Sequence, residues 1–200
     1  KENKTLTPFS NYAKSKKKSE DYIINKFSKS NIRYAILRYF NIVGANLKDR
    51  IGELSNNDHV LKNFCKQVYQ KNPVFKIYGS KYKTLSGTCI RDYLFINDLN
   101  FIHYKIFKLL NLKKKTGLIV NCGTSKGFSV LDLYKKLTKK NNNHKILFLK
   151  KRKGDVAKAV ADISELRKIV GAKYQFKSID YIISNSCKWE KYLKRLSIKN

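Results

Sequence analysis

The sequence contains no Met, and its first residue is Lys1. Residue 1 is therefore expected not to be a translational start, with further sequence upstream of it. No apolar run approaches the roughly 20 residues that a membrane-spanning helix requires. The lysine-rich N-terminus also lacks the apolar centre of a secretory signal. Neither a membrane partner nor export is predicted, and the expected location is the cytoplasm. Cysteine is scarce: Cys65, Cys89, Cys122 and Cys187 lie far apart, with no C-x-x-C pair and no His at ligand spacing. That pattern argues against a zinc site and against a disulfide framework. It predicts no metal and four buried free thiols in a reducing compartment.

Acidic residues are few as well, 14 against 44 basic ones, for a net charge of +30. Such a balance raises nucleic acid as a partner. The detail points elsewhere, because only seven of the basic residues are Arg and 37 are Lys, whereas phosphate and base edges favour guanidinium forks. The lysines are scattered from end to end among many Asn and Ile, all residues with A/T-rich codons. A solvated, lysine-coated surface is the simpler reading, and no nucleic-acid partner is predicted. What is present suits a globular chain: 42% hydrophobic and 12% aromatic residues, enough for one domain with a core or two small ones.

Along the chain, Ser10 or Asn11 is placed to cap a helix running to Phe27, with Tyr12, Lys16, Ser19, Ile23 and Phe27 at helical spacing. "IRYAILRYF" (32–40) is long and β-rich enough for a buried strand. "HVLKNFCKQVYQK" (59–71) reads as a helix and "VFKIYG" (74–79) as a strand. "DYLFI" (92–96) follows as a strand, and Asp98 is placed to cap "LNFIHYKIFKLL". "GLIVNCG" and "KILFLK" read as strands. Helices are predicted for "VLDLYKKLTKK" behind Ser129, for "DISELRKIV" before Gly171, and for "SIDYIISNSCKWEKYL". Strands alternating with helices imply an α/β protein with mainly parallel strands. Two long irregular stretches, near 41–58 and 79–91, each follow a strand, where ligands of open α/β sheets bind.

Tyr12 and Lys16 stand four apart on one helix face. An ammonium beside a phenol favours the phenolate, and a phenolate can take a proton from a sugar hydroxyl. Alone the pair is weak, since Tyr22 with Lys26 and Tyr104 with Lys108 have the same spacing. The order of motifs is more specific. "PFSNYAKSK" resembles a Pro-x-x-x-Tyr-x-x-(Ser/Thr)-Lys helix, "LRYFNIVGA" a Leu-Arg-Tyr-Phe-Asn-x-x-Gly-Ala strand end. "YGSKYKTLSGTCIRDYLFINDL" is similar to a Phe-Gly-x-x-Tyr-x-Thr-x-x-Gly-Thr-x-x-Arg-Asp-Tyr block, and "NCGTSKGFSVLDL" and "KRKGDVAKAVAD" follow in order. From about Pro8 to Tyr192 the chain resembles the UDP-glucose 4-epimerase family of extended short-chain dehydrogenases/reductases.

That resemblance implies an NAD(P)-binding Rossmann-type α/β fold with a smaller substrate-binding subdomain. Residues 1–40 and 92–121 would belong to the Rossmann part, and 41–91 and 122–200 mostly to the part that binds a UDP-sugar. It implies NAD as cofactor, a UDP-hexose substrate and a homodimer with Tyr22, Ile23 and Phe27 as apolar contacts. Tyr12 would be the base and acid at the sugar 4-hydroxyl. Lys16 would tune it and hold the nicotinamide ribose, and Phe40 would line the nicotinamide pocket. Asn41 would donate to the UDP diphosphate, Tyr78 would sit beside the uracil, Arg91 and Arg152 would clamp the phosphates, and Asp155 would accept from the ribose. Other nucleotide-sugar epimerases or dehydratases, acting on UDP-pentose or UDP-N-acetylhexosamine, share most of these residues. The chain departs from the family in two places. No glycine-rich dinucleotide fingerprint is present, "GTSKG" (123–127) reading as a strand-to-helix turn. "ELSNNDHVLKN" also differs from the family's Pro-containing segment, around Asn57 to Leu61.

Overall fold

The computed structural model describes every residue except 4, 9, 55–58, 113–116, 140–142 and 198–200. Helix α1, Asn11–Phe27, starts where Ser10 accepts a hydrogen bond from the Ala13 amide, and none of its residues is fully buried. It is tied to strand β1, Tyr34–Tyr39, by an ion pair and by the Phe27 ring, 6.2 Å from that of Tyr34. Arg38 of β1 forks onto the Glu20 carboxylate, with Nη2–Oε2 at 2.7 Å.

The apolar run 32–40 is not one strand. β1 ends at Tyr39, and β2, Asn41–Val43, begins after Phe40, whose amide donates to the Cys122 carbonyl at 3.2 Å. β1 pairs in parallel with β5, Gly117–Cys122, whereas β2 pairs in parallel with β4, Ile90–Phe95. A single hydrophobic stretch thus crosses from one sheet to the next, a step that alternation of side chains cannot reveal.

Helix α3, Ile96–Leu112, follows β4 without a break. Asp98 sits inside its first turn rather than capping it. Its buried carboxylate instead accepts from the Tyr174 hydroxyl at 2.7 Å and the Lys177 amide at 2.9 Å. α3, β1 and β5 enclose one core around Leu99, Ile102, Ile106 and Val120. Helix α5, Ser164–Val170, adds Leu166 and Val170 to that core, so α5 packs with the 92–121 elements despite lying within 122–200.

The second core gathers α2 (Val60–Val68), β3 (Val74–Tyr78), α4 (Val130–Thr138) and α6 (Ile179–Ser197) against β4, around Phe64, Phe75, Phe95 and Leu133. β6, Gly127–Ser129, pairs antiparallel with β4, and β8, Lys158–Ala159, pairs parallel with it. β3 pairs in parallel with β7, Lys145–Leu149. Parallel pairings predominate, as the alternating pattern predicts. Ser129 caps α4 through a reciprocal box with Asp132.

Cys65 of α2 and Cys187 of α6 are joined in a disulfide, while Cys89 and Cys122 are free and buried. The expectation of four free thiols is corrected for the first pair. Their 122-residue separation hid a contact that exists only because α2 lies against α6.

Candidate active site

β4 organises the site through three consecutive residues. Asp92 is fully buried on one face of the strand and clasps the turn after β5. Its carboxylate accepts from the Thr124 amide at 2.9 Å and the Thr124 hydroxyl at 2.6 Å, and from the Ser125 and Ala161 amides at 3.0 and 3.2 Å. Period-two alternation sends its neighbours Arg91 and Tyr93 to the opposite face, where both line a cavity of about 180 Å³.

That cavity brings together five of the predicted residues: Asn41, Tyr78, Arg91, Arg152 and Asp155. Asn41 arrives at the start of β2, with one amide N–H donated to the Asp92 carbonyl at 3.1 Å, which leaves it a second donor. Tyr78 closes β3 before Gly79, which turns with φ +79 and leaves no room for a Cβ beside the Tyr82 ring. Arg91 donates from Nη1 to the Val156 carbonyl at 2.8 Å, and its Nη2 lies 3.5 Å from Asp155 Oδ1. The Arg152 guanidinium stacks on the Tyr78 ring, 3.9 Å from its centroid. Two cationic forks, a carboxylate and an aromatic face, drawn from the separate stretches 78–91 and 152–155, therefore share one hollow.

His59, Val60 and Leu61, from the 57–61 stretch that departs from the family pattern, complete the wall together with Lys76 and Cys89, which were not singled out from sequence as site residues. Asn57, from the segment that departs from the family pattern, lies outside the described residues. Burial pushes the Cys89 thiol up, opposed in part by the Arg91 charge. Burial likewise raises the Tyr93 phenol. A lone cysteine carries no signal in a sequence, so Cys89 was legible only after folding.

Tyr12, Lys16 and Phe40 do not line this cavity. Tyr12 is 73% exposed on α1, with the Lys16 ammonium 5.3 Å from its ring centroid. The two other Tyr-x-x-x-Lys pairs show the same geometry, at 5.7 Å for Tyr22 and Lys26 and 4.8 Å for Tyr104 and Lys108. Local contact alone does not single out Tyr12. Phe40 is half-buried against the α3–β5 core.

Comparison with known proteins bears on this arrangement. Residues 1–123 match the NAD dependent epimerase/dehydratase family. The chain belongs to that family. It is 30% identical over 197 residues to UDP-glucose 4-epimerase of Azospirillum brasilense, covering 97% of this chain and 56% of the relative. It is 32% identical to UDP-arabinose 4-epimerase 1 of Arabidopsis thaliana, covering 92% of this chain and 45% of that protein. The fold matches the crystal structure of UDP-glucose-4-epimerase from Stenotrophomonas maltophila with bound NAD and formylated UDP-arabinopyranose, with TM-score 0.89 and 25% identity over 98% of this chain and 59% of that one. The Bifidobacterium longum enzyme in complex with NAD+ and UDP gives TM-score 0.83 and 26% identity over 94% and 57%. The α/β Rossmann-like fold of extended short-chain dehydrogenases/reductases is thereby established, and the chain spans about half the length of the curated relatives it matches.

Tyr12 and Lys16 of α1 and Phe40 between β1 and β2 carry a phenol, an ammonium and an apolar ring. The glycines of 123–127 are used for packing, because a Cβ on Gly123 would strike Ala161 and Asp92, and one on Gly127 would strike Ile90 and Val160. No described helix is long and apolar enough to cross a membrane.

Proposed function

We propose that the whole protein is a nucleotide-sugar 4-epimerase that interconverts UDP-glucose and UDP-galactose. The observation that carries this reading is the convergence of Arg91, Arg152, Asp155, Tyr78 and Asn41 on one cavity. Guanidinium forks suit diphosphate oxygens, a carboxylate accepts from ribose hydroxyls, and an aromatic face receives a base. NAD, when bound, supplies reversible hydride acceptance at the sugar's C4. Tyr12 takes the 4-hydroxyl proton and gives it back, Lys16 offers the phenolate a neighbouring positive charge, and Phe40 borders the nicotinamide. The cavity grips the UDP and leaves the hexose loosely held, so the keto sugar can present its other face before reduction. The cofactor's pyrophosphate is assigned to sequence outside these 200 residues. Dimerisation is assigned to α1, whose Tyr22 is exposed and none of whose residues is fully buried.

A UDP-pentose is the second reading. It is favoured by the UDP-arabinose 4-epimerase relatives, one of them 32% identical. A product assay on a small panel of UDP-sugars separates the two.

The test uses the whole protein. Tyr12→Phe is expected to abolish epimerisation while UDP affinity stays within about twofold. Arg91→Ala and Arg152→Ala are each expected to weaken UDP by roughly 10- to 100-fold, the loss of a hydrogen bond to a charged partner. Ordinary turnover by Tyr12→Phe would remove Tyr12 as the base. Unchanged UDP affinity in both Arg variants would remove the cavity as the nucleotide site.

A further inference from the structure

The N-terminal half of α2 stands between two hollows. His59, Val60 and Leu61 line the candidate UDP cavity, and His59, Leu61 and Lys62 line an adjoining cavity of about 330 Å³ whose far side is Ser186, Trp189 and Glu190 of α6. Below the hollows, Leu61, Phe64 and Cys65 pack in one core with Ile182, Ile183 and Cys187 of α6, so the spacing of the two helices sets the width of both walls. Polar ties accompany this packing: Lys62 and Glu190 are a buried pair 3.7 Å apart, Lys62 also donates to the Glu53 carbonyl at 2.8 Å, and Lys194 of α6 donates to the Tyr69 carbonyl after α2 at 2.6 Å. One helical turn beyond Leu61 comes Cys65, on the same face and fully buried, and its disulfide to Cys187 brings the two Cα atoms to 4.7 Å. α6 is itself anchored to the loop after β2. Asn185 exchanges two hydrogen bonds with the Ala45 backbone, and the Trp189 indole donates to the Glu53 carbonyl at 3.0 Å.

We propose that Cys65–Cys187 is a reversible redox modification site that staples α2 to α6 and thereby sets the wall of the nucleotide cavity. Nucleotide affinity then depends on the thiol–disulfide state, an inference that rests on the UDP reading above. The reductant is an external thiol or dithiol. Its thiolate attacks the Cys187 sulfur, the less buried of the two at 8% exposure against 0%. A mixed disulfide forms as the Cys65–Cys187 bond breaks, and Cys65 leaves as a thiolate that takes up a proton. A second external thiolate releases Cys187 in the same way, so two electrons pass to the protein and the external thiols leave as a disulfide. Since both sulfurs are shielded, attack requires α2 and α6 to part. Linkage then makes the effect reciprocal: the factor by which reduction weakens UDP is the factor by which UDP disfavours reduction.

The experiment takes the full chain purified without reductant and maps each cysteine by differential alkylation and mass spectrometry. UDP affinity is then measured by calorimetry before and after dithiothreitol treatment. Cys65 and Cys187 are expected to be protected until reduction. Reduced protein is expected to bind UDP about tenfold more weakly, with the midpoint of reduction shifted by a matching factor in saturating UDP. Cys187→Ser should bind like the reduced form and ignore reductant. Free Cys65 and Cys187 in the unreduced protein, or equal UDP affinity in both states, overturns the proposal. Global unfolding on reduction, seen by circular dichroism, also overturns it, the bond then being structural only. If neither state binds UDP, the UDP reading fails by itself. The staple is then judged by amide exchange over residues 60–68, where faster exchange on reduction supports it and unchanged exchange overturns it.

Discussion

At the scale of single residues, the same side-chain type plays different parts according to what surrounds it. Arg91 and Asp92 are adjacent, yet one faces the cavity and the other is sealed beneath it, accepting four hydrogen-bond donors. Cys122 is a case with a measurable consequence. Burial and the nearby Glu2 carboxylate push its thiol up from 9.0 to about 12. In the unfolded chain the thiol loses its proton first, so the unfolded state gains relative to the folded one as pH rises between 9.0 and about 12. Stability from this group is complete below pH 9.0 and declines across that window. Cys122→Ala should flatten the alkaline fall in melting temperature, the difference in unfolding free energy across the window reaching up to about 4 kcal/mol. Parallel curves for the two proteins would show that the thiol stays ionisable in the fold. Tyr12 is the opposite case: its sequence context marks it, but its immediate contacts resemble those of Tyr22 and Tyr104.

At the scale of elements, the site depends on strands being held in register by groups that are not themselves in the cavity. Asp92 fixes the turn after β5 and the chain near β8 to β4 in one step. Asp92→Ala leaves the Thr124, Ser125 and Ala161 amides without their acceptor in a buried place. The expected cost is about 3 kcal/mol in urea unfolding, because orphaned buried donors lose water and gain nothing. The variant should also bind UDP more weakly than its residual folded fraction explains, since Asp92 anchors the 124–125 turn and Ala161 to the strand that carries Arg91. A destabilisation under about 1 kcal/mol would mean that water or another acceptor replaces the carboxylate. The buried acids of β4 and α3 were visible in the sequence only as members of a motif or as a cap. Their partners, Thr124 and Tyr174, lie 32 and 76 residues away, beyond the reach of local pattern.

At the scale of the whole molecule, the dominant property is charge. A net +30 carried mostly by lysine makes the chain repel itself. Raising ionic strength from about 0.01 M to 0.15 M shortens the Debye length from about 30 Å to about 8 Å. The melting temperature is therefore expected to rise over that range, in contrast to proteins stabilised chiefly by surface ion pairs, which lose stability. A fall, measured by calorimetry in sodium chloride, would show that pairs such as Arg38 with Glu20 outweigh the repulsion. The same measurement in potassium phosphate distinguishes screening from binding of anions, because only the latter depends on the anion at fixed ionic strength.

Alternation of strand and helix, the Ser10 and Ser129 caps, the ordered motifs and the charge were all legible in the amino-acid sequence, because each is a local pattern or a sum over residues. From them came the α/β class and the family. Only the tertiary structure decided that the run 32–40 bends from one sheet into another, that α5 joins the earlier core, that Cys65 meets Cys187, and that Arg152 stacks on Tyr78 while Arg91 faces Asp155. Those are contacts between distant segments. They arise from how layers close over a core, and no spacing along the chain encodes them.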